Sequence, residues 1–297
     1  MNIIGTTVKF LKKFPQSDKC ESHKKNLSPL TSNRVYDKIF STSIIGKGGE
    51  KMKITFLGTS HGVPAANRYC SATMIEIGDN IYFIDAGAPI TDLVLRMGKK
   101  IENIRAVFTT HSHGDHVIGL FSLCDLVTWH YKKAFISVYL TEQKLLDLLF
   151  ETSGYLSNNN PARRINFEKI TESTVYEDKS IKVSYISTMH KNRGIEPSYA
   201  ILFEAEGKKL LFTGDLSGNL KLNDFPSYGL ENHTDLTVCE MAHFSMDHIH
   251  PYLEKLKTDI LCFTHVYPLD KYELIEAKKD TFGYKMLSPS DGDTIEL

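Results

Sequence analysis

The most constraining feature of the sequence is a run of metal-type ligands at the end of an apolar segment. In TTHSHGDHVIGL, His111, His113, Asp115 and His116 fall within six positions, directly after the apolar run AVFTT. A strand that ends in this spacing delivers its side chains at a turn, where neighbouring side chains can be aimed at common points. Imidazole nitrogens and a carboxylate oxygen are typical ligands of divalent metals. The run predicts a metal centre, with His111 and His113 aimed at one point and Asp115 and His116 at a neighbouring one.

Further ligands must come from other parts of the chain, because one turn cannot fill two metal sites. His190 follows the strand-like run KVSYISTM, Asp215 follows LLFTG and His265 follows DILCFT. A lone histidine at a strand end is more often an ordinary hydrogen-bonded residue, but this ordered combination favours a dinuclear site. The Asp215 carboxylate can bridge two cations about 3.5–4 Å apart. A bridging water or hydroxide would have its pKa lowered toward ~7.

The chain divides into two regions of different composition. Residues 1–50 include QSDKCESHKKNLSPLTSNR and the glycine-rich IIGKGGEK, which predict a flexible or peripheral N-terminal extension, with a flap or dimer arm as the alternative. Residues 51–297 alternate short β-type runs with segments of helical spacing. One of these, TEQKLLDLLFETSG, predicts a helix capped by Thr141 and ending near Gly154. The pattern predicts an α/β domain in which two sheets pack face to face under outer helices.

Composition excludes several classes of protein. With 35 basic and 36 acidic residues, the net charge of -1 does not call for nucleic acid or an anionic membrane as partner. The five cysteines are scattered and lack CxxC spacing, which is typical of a reducing compartment rather than of a disulfide framework. No apolar run reaches the length of a membrane span, and the N-terminus lacks the pattern of a secretory signal. We therefore expect a cytoplasmic protein without a membrane partner.

The combined motifs resemble the metallo-β-lactamase superfamily of dinuclear hydrolases over nearly all of residues 52–297. The resemblance rests on HSHGDH, on His190, on the TGD that ends at Asp215 and on the TH that ends at His265. It implies an αββα four-layer sandwich with the site at one edge of the two sheets. It also implies two divalent cations, zinc first and manganese or iron as alternatives, and the following ligands: His111, His113 and His190 for the first, Asp115, His116 and His265 for the second, and Asp215 as the bridge.

Within that superfamily, ITFLGTSHGVPAANRYCSA resembles the opening of the tRNase Z-like and phosphodiesterase branch. The tRNA-grasping arm of tRNase Z enzymes is inserted between the equivalents of His190 and Asp215, and residues 191–214 leave no room for one. The segment EMAHFSMDHIH also departs from the usual histidine motif of those enzymes. We therefore expect a hydrolase of small phosphodiesters rather than of long tRNA. Asp115 and His243 are the expected proton-handling residues, with His248 as the alternative to His243.

Other readings of the same ligand set remain open. A lactone, thioester or other carbonyl ester can be attacked at such a site, and a non-catalytic metal- or nucleotide-binding sensor is the alternative from another class. A homodimer is also open. Two further residues are candidates near the site: Asp85 as an acceptor that orients a ligand histidine, and Arg68 either as a phosphate contact or as a solvated loop residue.

Overall fold

The computed structural model describes residues 52–297, so the extension predicted for residues 1–50 lies outside the described part. In chain order, the strands are β1 (Lys53–Gly58), β2 (Ala72–Ile77), β3 (Asn80–Ile84), β4 (Ile104–Phe108), β5 (Ile136–Leu140), β6 (Ile165–Lys169), β7 (Val175–Glu177), β8 (Ile181–Ser187), β9 (Tyr199–Ala205), β10 (Lys208–Phe212), β11 (Thr234–Met241), β12 (Thr258–Val266), β13 (Lys285–Leu287) and β14 (Thr294–Glu296). The first sheet has the order β14-β1-β2-β3-β4-β5-β6, and the second has the order β13-β12-β11-β10-β9-β8-β7.

The helices lie mainly on the outer faces of these sheets. They are α1 (Ile90–Arg96), α2 (Gly114–Val117), α3 (Gly119–Trp129), α4 (Gln143–Ser157), α5 (Ser227–Glu231), α6 (Met246–Leu253) and α7 (Lys271–Lys278). Short 3-10 turns occur at Ile101–Asn103, Pro161–Arg163, Lys191–Gly194 and Gly218–Asn223. In residues 52–297, none of the helices has both the length and the apolar character needed to cross a membrane.

Three apolar clusters define four layers. The central cluster joins the inner faces of the two sheets and includes Phe56 and Phe108 from the first and Phe203 and Phe212 from the second. A second cluster packs α1, α3 and α4 on the outer face of the first sheet, and a third packs α6 and α7 on the outer face of the second. Strands covered on both faces are apolar almost throughout, as in the buried run of β1. The predicted αββα sandwich is confirmed.

The ends of α4 differ from the sequence prediction. Thr141 is fully buried beyond the end of β5, and Glu142 takes the N-cap position without a capping side-chain hydrogen bond. Gly154 lies inside the helix, which continues to Ser157 and ends where Asn158 adopts a left-handed conformation with φ of 52°. Asparagine tolerates that conformation better than most residues, so it can end a helix as glycine does.

Strand β14 brings the end of the chain back to the first strand. Glu296 pairs with Lys53 in antiparallel register, and the amide of Leu297 donates to the carbonyl of Met52 at 3.0 Å. The described range therefore begins and ends at the same corner of the first sheet.

Backbone hydrogen bonds also cross between the two sheets at one edge. The amide of Tyr199, in the second sheet, donates to the carbonyl of Thr110, which follows β4 of the first. The amide of His265 donates to the carbonyl of Thr59, which follows β1. Both distances are 2.9 Å, so this edge is held by main-chain contacts as well as by the apolar core.

The central cluster should control the stability of the domain. Phe203 is fully buried there, and its ring centroid lies 5.9 Å from that of Tyr82 in the opposite sheet. We expect Phe203→Ala to lower the free energy of unfolding by about 3–5 kcal/mol, because it removes buried apolar contacts and leaves a cavity. Urea unfolding of the metal-free protein would measure this loss. The control Leu148→Ala, at a residue 46% exposed on α4, should change the value by less than about 0.5 kcal/mol.

Candidate metal centre

The HSHGDH segment is a junction between a strand and a helix. Strand β4 ends at Phe108, and α2 begins at Gly114 with His113 at its N-cap position. The junction is fixed by Asp85, which follows β3 and accepts hydrogen bonds from the amide of Thr110 at 2.8 Å and from its hydroxyl. Asp85 itself has a left-handed φ of 58°. Such backbone strain costs of order 1–3 kcal/mol and is typical of functional sites.

The first group of candidate ligands is formed by His111, His113, His190 and Asp215, whose ligand atoms lie within 4.8 Å of one another. His113 Nδ1 lies 2.9 Å from His111 Nε2 and 3.2 Å from His190 Nε2. Asp215 Oδ2 lies 3.8 Å from the His111 nitrogen and 3.7 Å from that of His190. The structure therefore brings together the ligands that the resemblance implied for the first cation.

These three histidines are suited to bind a cation as neutral imidazoles. Burial lowers the pKa of His111 well below its ordinary value, and it also lowers the pKa values of His113 and His190. The second nitrogen of His190, Nδ1, lies 3.1 Å from the carbonyl of Leu216 and can donate to it. That bond leaves Nε2 with a free lone pair on the side of the cluster.

The second group is formed by Asp115, His116, Asp215 and His265. Asp115 Oδ2 lies 3.2 Å from His265 Nε2 and 3.4 Å from His116 Nε2. Asp215 approaches the same histidines, with Oδ1 at 3.4 Å from His116 Nε2 and Oδ2 at 3.6 Å from His265 Nε2. All seven ligands expected from the sequence are thus collected in two adjoining groups that share Asp215.

Asp215 can take its shared position because a glycine precedes it. Gly214 has a φ of +60°, and a Cβ there would lie 2.8 Å from Thr110 Cβ and 2.9 Å from the carbonyl oxygen of Tyr199. Only glycine lets the two backbones approach this closely. Burial alone would raise the pKa of the Asp215 carboxyl, but His265 and His116 hold it well below its usual range. An ionised carboxylate in this place can bridge two cations.

His116 supplies the test of whether a cation fits this site. Its Nδ1 lies 2.8 Å from Asp85 Oδ2, while its buried Nε2 has no hydrogen-bond partner within residues 52–297. Burial opposes charge on this ring, yet Asp215 and Asp85 raise its pKa well above the ordinary value. The carboxylates that favour a proton here would equally favour a cation at Nε2. The nitrogen and oxygen donors of both groups suit zinc, manganese or iron.

Glu240 is a site residue that the sequence reasoning did not single out. It lies in β11, is 2% exposed, and accepts hydrogen bonds from the amides of Leu216, Ala242 and His243 at 2.8, 2.8 and 3.0 Å. The apolar run LTVCEM offered one signal, because a charged residue at the end of a buried strand needs a partner.

His243 lies beside the second group and is held by the same glutamate. Its Nδ1 is 2.9 Å from Glu240 Oε1 and 3.9 Å from Asp215 Oδ2, and its side chain is 33% exposed. Burial lowers the pKa of His243, but the hydrogen bond to Glu240 outweighs it and raises the pKa to about 9. The structure thus places the expected His243 at the cluster.

Two other candidates, His248 and Arg68, make contacts with neighbouring residues. His248 is exposed in α6, where its Nδ1 lies 2.7 Å from the hydroxyl of Ser245 in a capping box, so it belongs to the start of that helix. The guanidinium of Arg68 donates to the hydroxyl of Thr59 at 2.5 Å and lies 4.5 Å from the ring centroid of Tyr272. Arg68 is therefore neither a solvated loop residue nor a cation held free for substrate.

A family model described as anti-Pycsar protein Apyc1 matches residues 52–266. The chain belongs to the Apyc1 family. The matched range contains all seven candidate ligands, Glu240 and His243.

The chain is also similar to curated relatives and to solved structures. A ribonuclease Z from Microcystis aeruginosa is 34% identical over 142 residues, which are 47% of this chain and 44% of that protein. The chain thus spans about half the length of the curated relatives it matches. The metallo-β-lactamase fold protein YhfI from Bacillus subtilis superposes with a TM-score of 0.66 at 18% identity, over 83% of this chain and all of that one. Yeast PDE1 superposes with a TM-score of 0.65 at 14% identity, over 84% of this chain and all of that one. The metallo-β-lactamase fold expected from the sequence is confirmed, and the ribonuclease Z matches are consistent with the expected tRNase Z-like branch.

Asp85 allows a test of the second ligand group. We expect Asp85→Asn to weaken binding of one of two cations about 10- to 100-fold, because asparagine has one acceptor oxygen where Asp85 uses one for Thr110 and the other for His116. Competition titration against a chromophoric chelator would measure both affinities. Asp92→Asn, on the exposed side of α1, is the matched control and should leave both unchanged. Equal affinities in Asp85→Asn and the unaltered protein would contradict this assignment.

Proposed function

We propose that this member of the Apyc1 family is a dinuclear metal-dependent hydrolase that cleaves a small phosphodiester. The observation that carries the proposal is the pair of nitrogen- and oxygen-donor groups that share Asp215, with His243 beside them. Two divalent cations, zinc first and manganese or iron as alternatives, would lower the pKa of a water and neutralise charge on the phosphoryl oxygens. The same site has the residues needed to move protons.

Asp115 and His243 are the proposed proton-handling residues. The imidazoles of His116 and His265, at 3.4 and 3.2 Å, outweigh burial and hold the pKa of Asp115 far below its usual range, so its carboxylate is ionised and can accept a hydrogen bond from a water. Glu240 engages Nδ1 of His243 and leaves Nε2 as the nitrogen that can donate to a leaving oxygen. The side chain of His243 is partly exposed, which fits a residue that meets substrate.

The substrate is proposed to be small because of the segment between His190 and Asp215. Residues 191–214 contain the turn Lys191–Gly194 and the antiparallel hairpin of β9 and β10. The two strands are joined by Glu206 and Gly207 alone. A tRNA-grasping arm has no place in this segment, so long tRNA is not the proposed substrate. The name ribonuclease Z, carried by a relative, supports phosphodiester chemistry.

A substrate panel tests the proposal directly. The purified protein, loaded with zinc or manganese, is offered bis-p-nitrophenyl phosphate, cyclic nucleotides, short oligonucleotides, lactones and thioesters, while elemental analysis counts the bound metal. We expect two metals per chain and hydrolysis of at least one phosphodiester, lost with a chelator and restored by metal. Cleavage of only lactones or thioesters would overturn the proposed substrate class. Tight nucleotide binding without any hydrolysis would instead support a sensor.

Two coarser expectations accompany this proposal. We propose a cytoplasmic location, which the cysteine usage favours, and a homodimer as one possible assembly. Sedimentation of the metal-loaded chain tests the second, and a single species of 33.6 kDa would exclude the dimer.

The role of His243 can be separated from simple damage to the site by the choice of leaving group. We expect His243→Ala to lower kcat about 10²–10⁴-fold on an alkyl phosphodiester, whose leaving oxygen needs a proton. The loss should be much smaller on bis-p-nitrophenyl phosphate, because nitrophenolate leaves without protonation. His248→Ala is the histidine control and should retain activity on both substrates. Equal losses on both substrates would count against a proton-donating role for His243.

A further inference from the structure

Lys191, the residue after the candidate ligand His190, has an almost completely buried side chain. Only 8% of it is exposed, although it carries a charge. Its Nζ donates to the hydroxyl of Ser112 at 2.8 Å and to the carboxylate of Glu142, and lies 3.0 Å from Glu196 Oε2. None of these four residues is a candidate ligand or proton-handling residue.

The contacts of Lys191 join segments that are far apart in the chain. Ser112 lies between His111 and His113, and its hydroxyl also donates to Glu142, which follows β5. One carboxylate therefore receives hydrogen bonds from Ser112 and from Lys191. The resulting network of Lys191, Ser112 and Glu142 connects the two segments that carry all three histidines of the first ligand group.

The second ligand group is held by different contacts. His116 is oriented by Asp85, and the backbone of His265 is bonded to the carbonyl of Thr59. Asp85 also reaches the first group through Thr110, whose hydroxyl lies 3.1 Å from His111 Nδ1, whereas the Lys191 side chain contacts Ser112, Glu142 and Glu196. A change in the network of Lys191 should therefore act mainly on the first group.

The free-energy cost of burying charge indicates that this network does more than stabilise the fold. Burying an ammonium group costs several kcal/mol, and its attraction to a carboxylate often does no more than offset this cost. Apolar side chains of similar size frequently serve stability as well or better. A buried ion pair between two ligand-bearing segments is better explained by the geometry that it imposes.

We propose that Lys191, acting through Ser112 and Glu142, is a positioning residue for the first cation site, formed by His111, His113 and His190 with Asp215. This inference rests on the dinuclear centre proposed above. The ammonium group sets the distance between the His190 segment and the HSHGDH turn. Without the ammonium group, the three histidine nitrogens no longer converge on one cation position, while the second group keeps its geometry.

The test is metal binding by Lys191→Met, measured without reference to activity. Stepwise zinc affinities come from competition with a chromophoric chelator, and cobalt(II) absorption reports the ligand geometry. We expect one affinity to fall about 10- to 100-fold and the other to remain. The cobalt spectrum should then change as in His190→Ala rather than as in His265→Ala. Lys191→Arg, which keeps the charge, should restore part of the lost affinity.

The control is Lys208→Met, which removes an ion pair elsewhere: Lys208 Nζ lies 2.7 Å from Asp235 Oδ1, and the Lys208 side chain is 42% exposed. It should leave both affinities unchanged. Thermal unfolding of each metal-free variant shows whether it is folded. If Lys191→Met does not fold, Glu142→Gln, which keeps Lys191 paired with Glu196, replaces it in the same titration.

The outcomes separate this inference from the proposed function. Two cations bound by the unaltered protein, with unchanged affinities in the folded Lys191 variant, would overturn the positioning role and leave the dinuclear centre in place. Fewer than two cations bound by the unaltered protein would overturn the dinuclear centre itself. Equal weakening of both sites would also contradict the inference, because the network is proposed to act mainly on the first group.

Discussion

The apolar contact between the inner faces of the two sheets is the interaction on which the candidate metal centre depends. The first sheet carries the HSHGDH turn and Asp85, whereas the second carries His190, Asp215 and His265. Neither sheet holds a complete ligand group, because each group contains Asp215 from the second sheet and histidines from the first. The burial of large side chains such as Phe108 and Phe203 therefore positions the candidate ligands, although these residues are not ligands themselves.

The site concentrates charged and polar groups that are buried from solvent, and each buried carboxylate has polar partners. Asp215, Glu240 and Asp85 are all at most 5% exposed, and each has histidine or backbone N–H partners. His265, like Asp85, adopts a left-handed backbone, with φ of 51°. This strain and the cost of burying charge are sustained by the surrounding core. Such an arrangement is expected where a structure is organised for binding rather than for stability alone.

The clustering of the seven candidate ligands was predictable from the sequence because they follow apolar strands, and strand ends tend to meet at one edge of a sheet sandwich. The contacts that orient those residues were harder to predict from the sequence. Glu240 and Lys191 act through partners distant in the chain, and nothing in the local pattern names those partners. The sequence pattern misplaced both ends of α4. Thr141 is buried in the core and does not cap the helix, and Asn158, not glycine, ends it. The choice between His243 and His248 needed the position of Glu240, which distinguishes a histidine at the cluster from a helix-capping one.

The pairing of β14 with β1 has a practical consequence for handling the protein. Leu297 lies against Met52, at the end of β1 opposite to Thr59, the residue whose carbonyl is bonded to His265. At about 3.3 Å per residue, that strand separates the corner from the candidate metal centre by roughly 20 Å. An affinity handle or fluorophore attached at Leu297 therefore starts well away from the candidate ligands. The protein can be immobilised through such a handle without the attachment point touching the candidate metal centre.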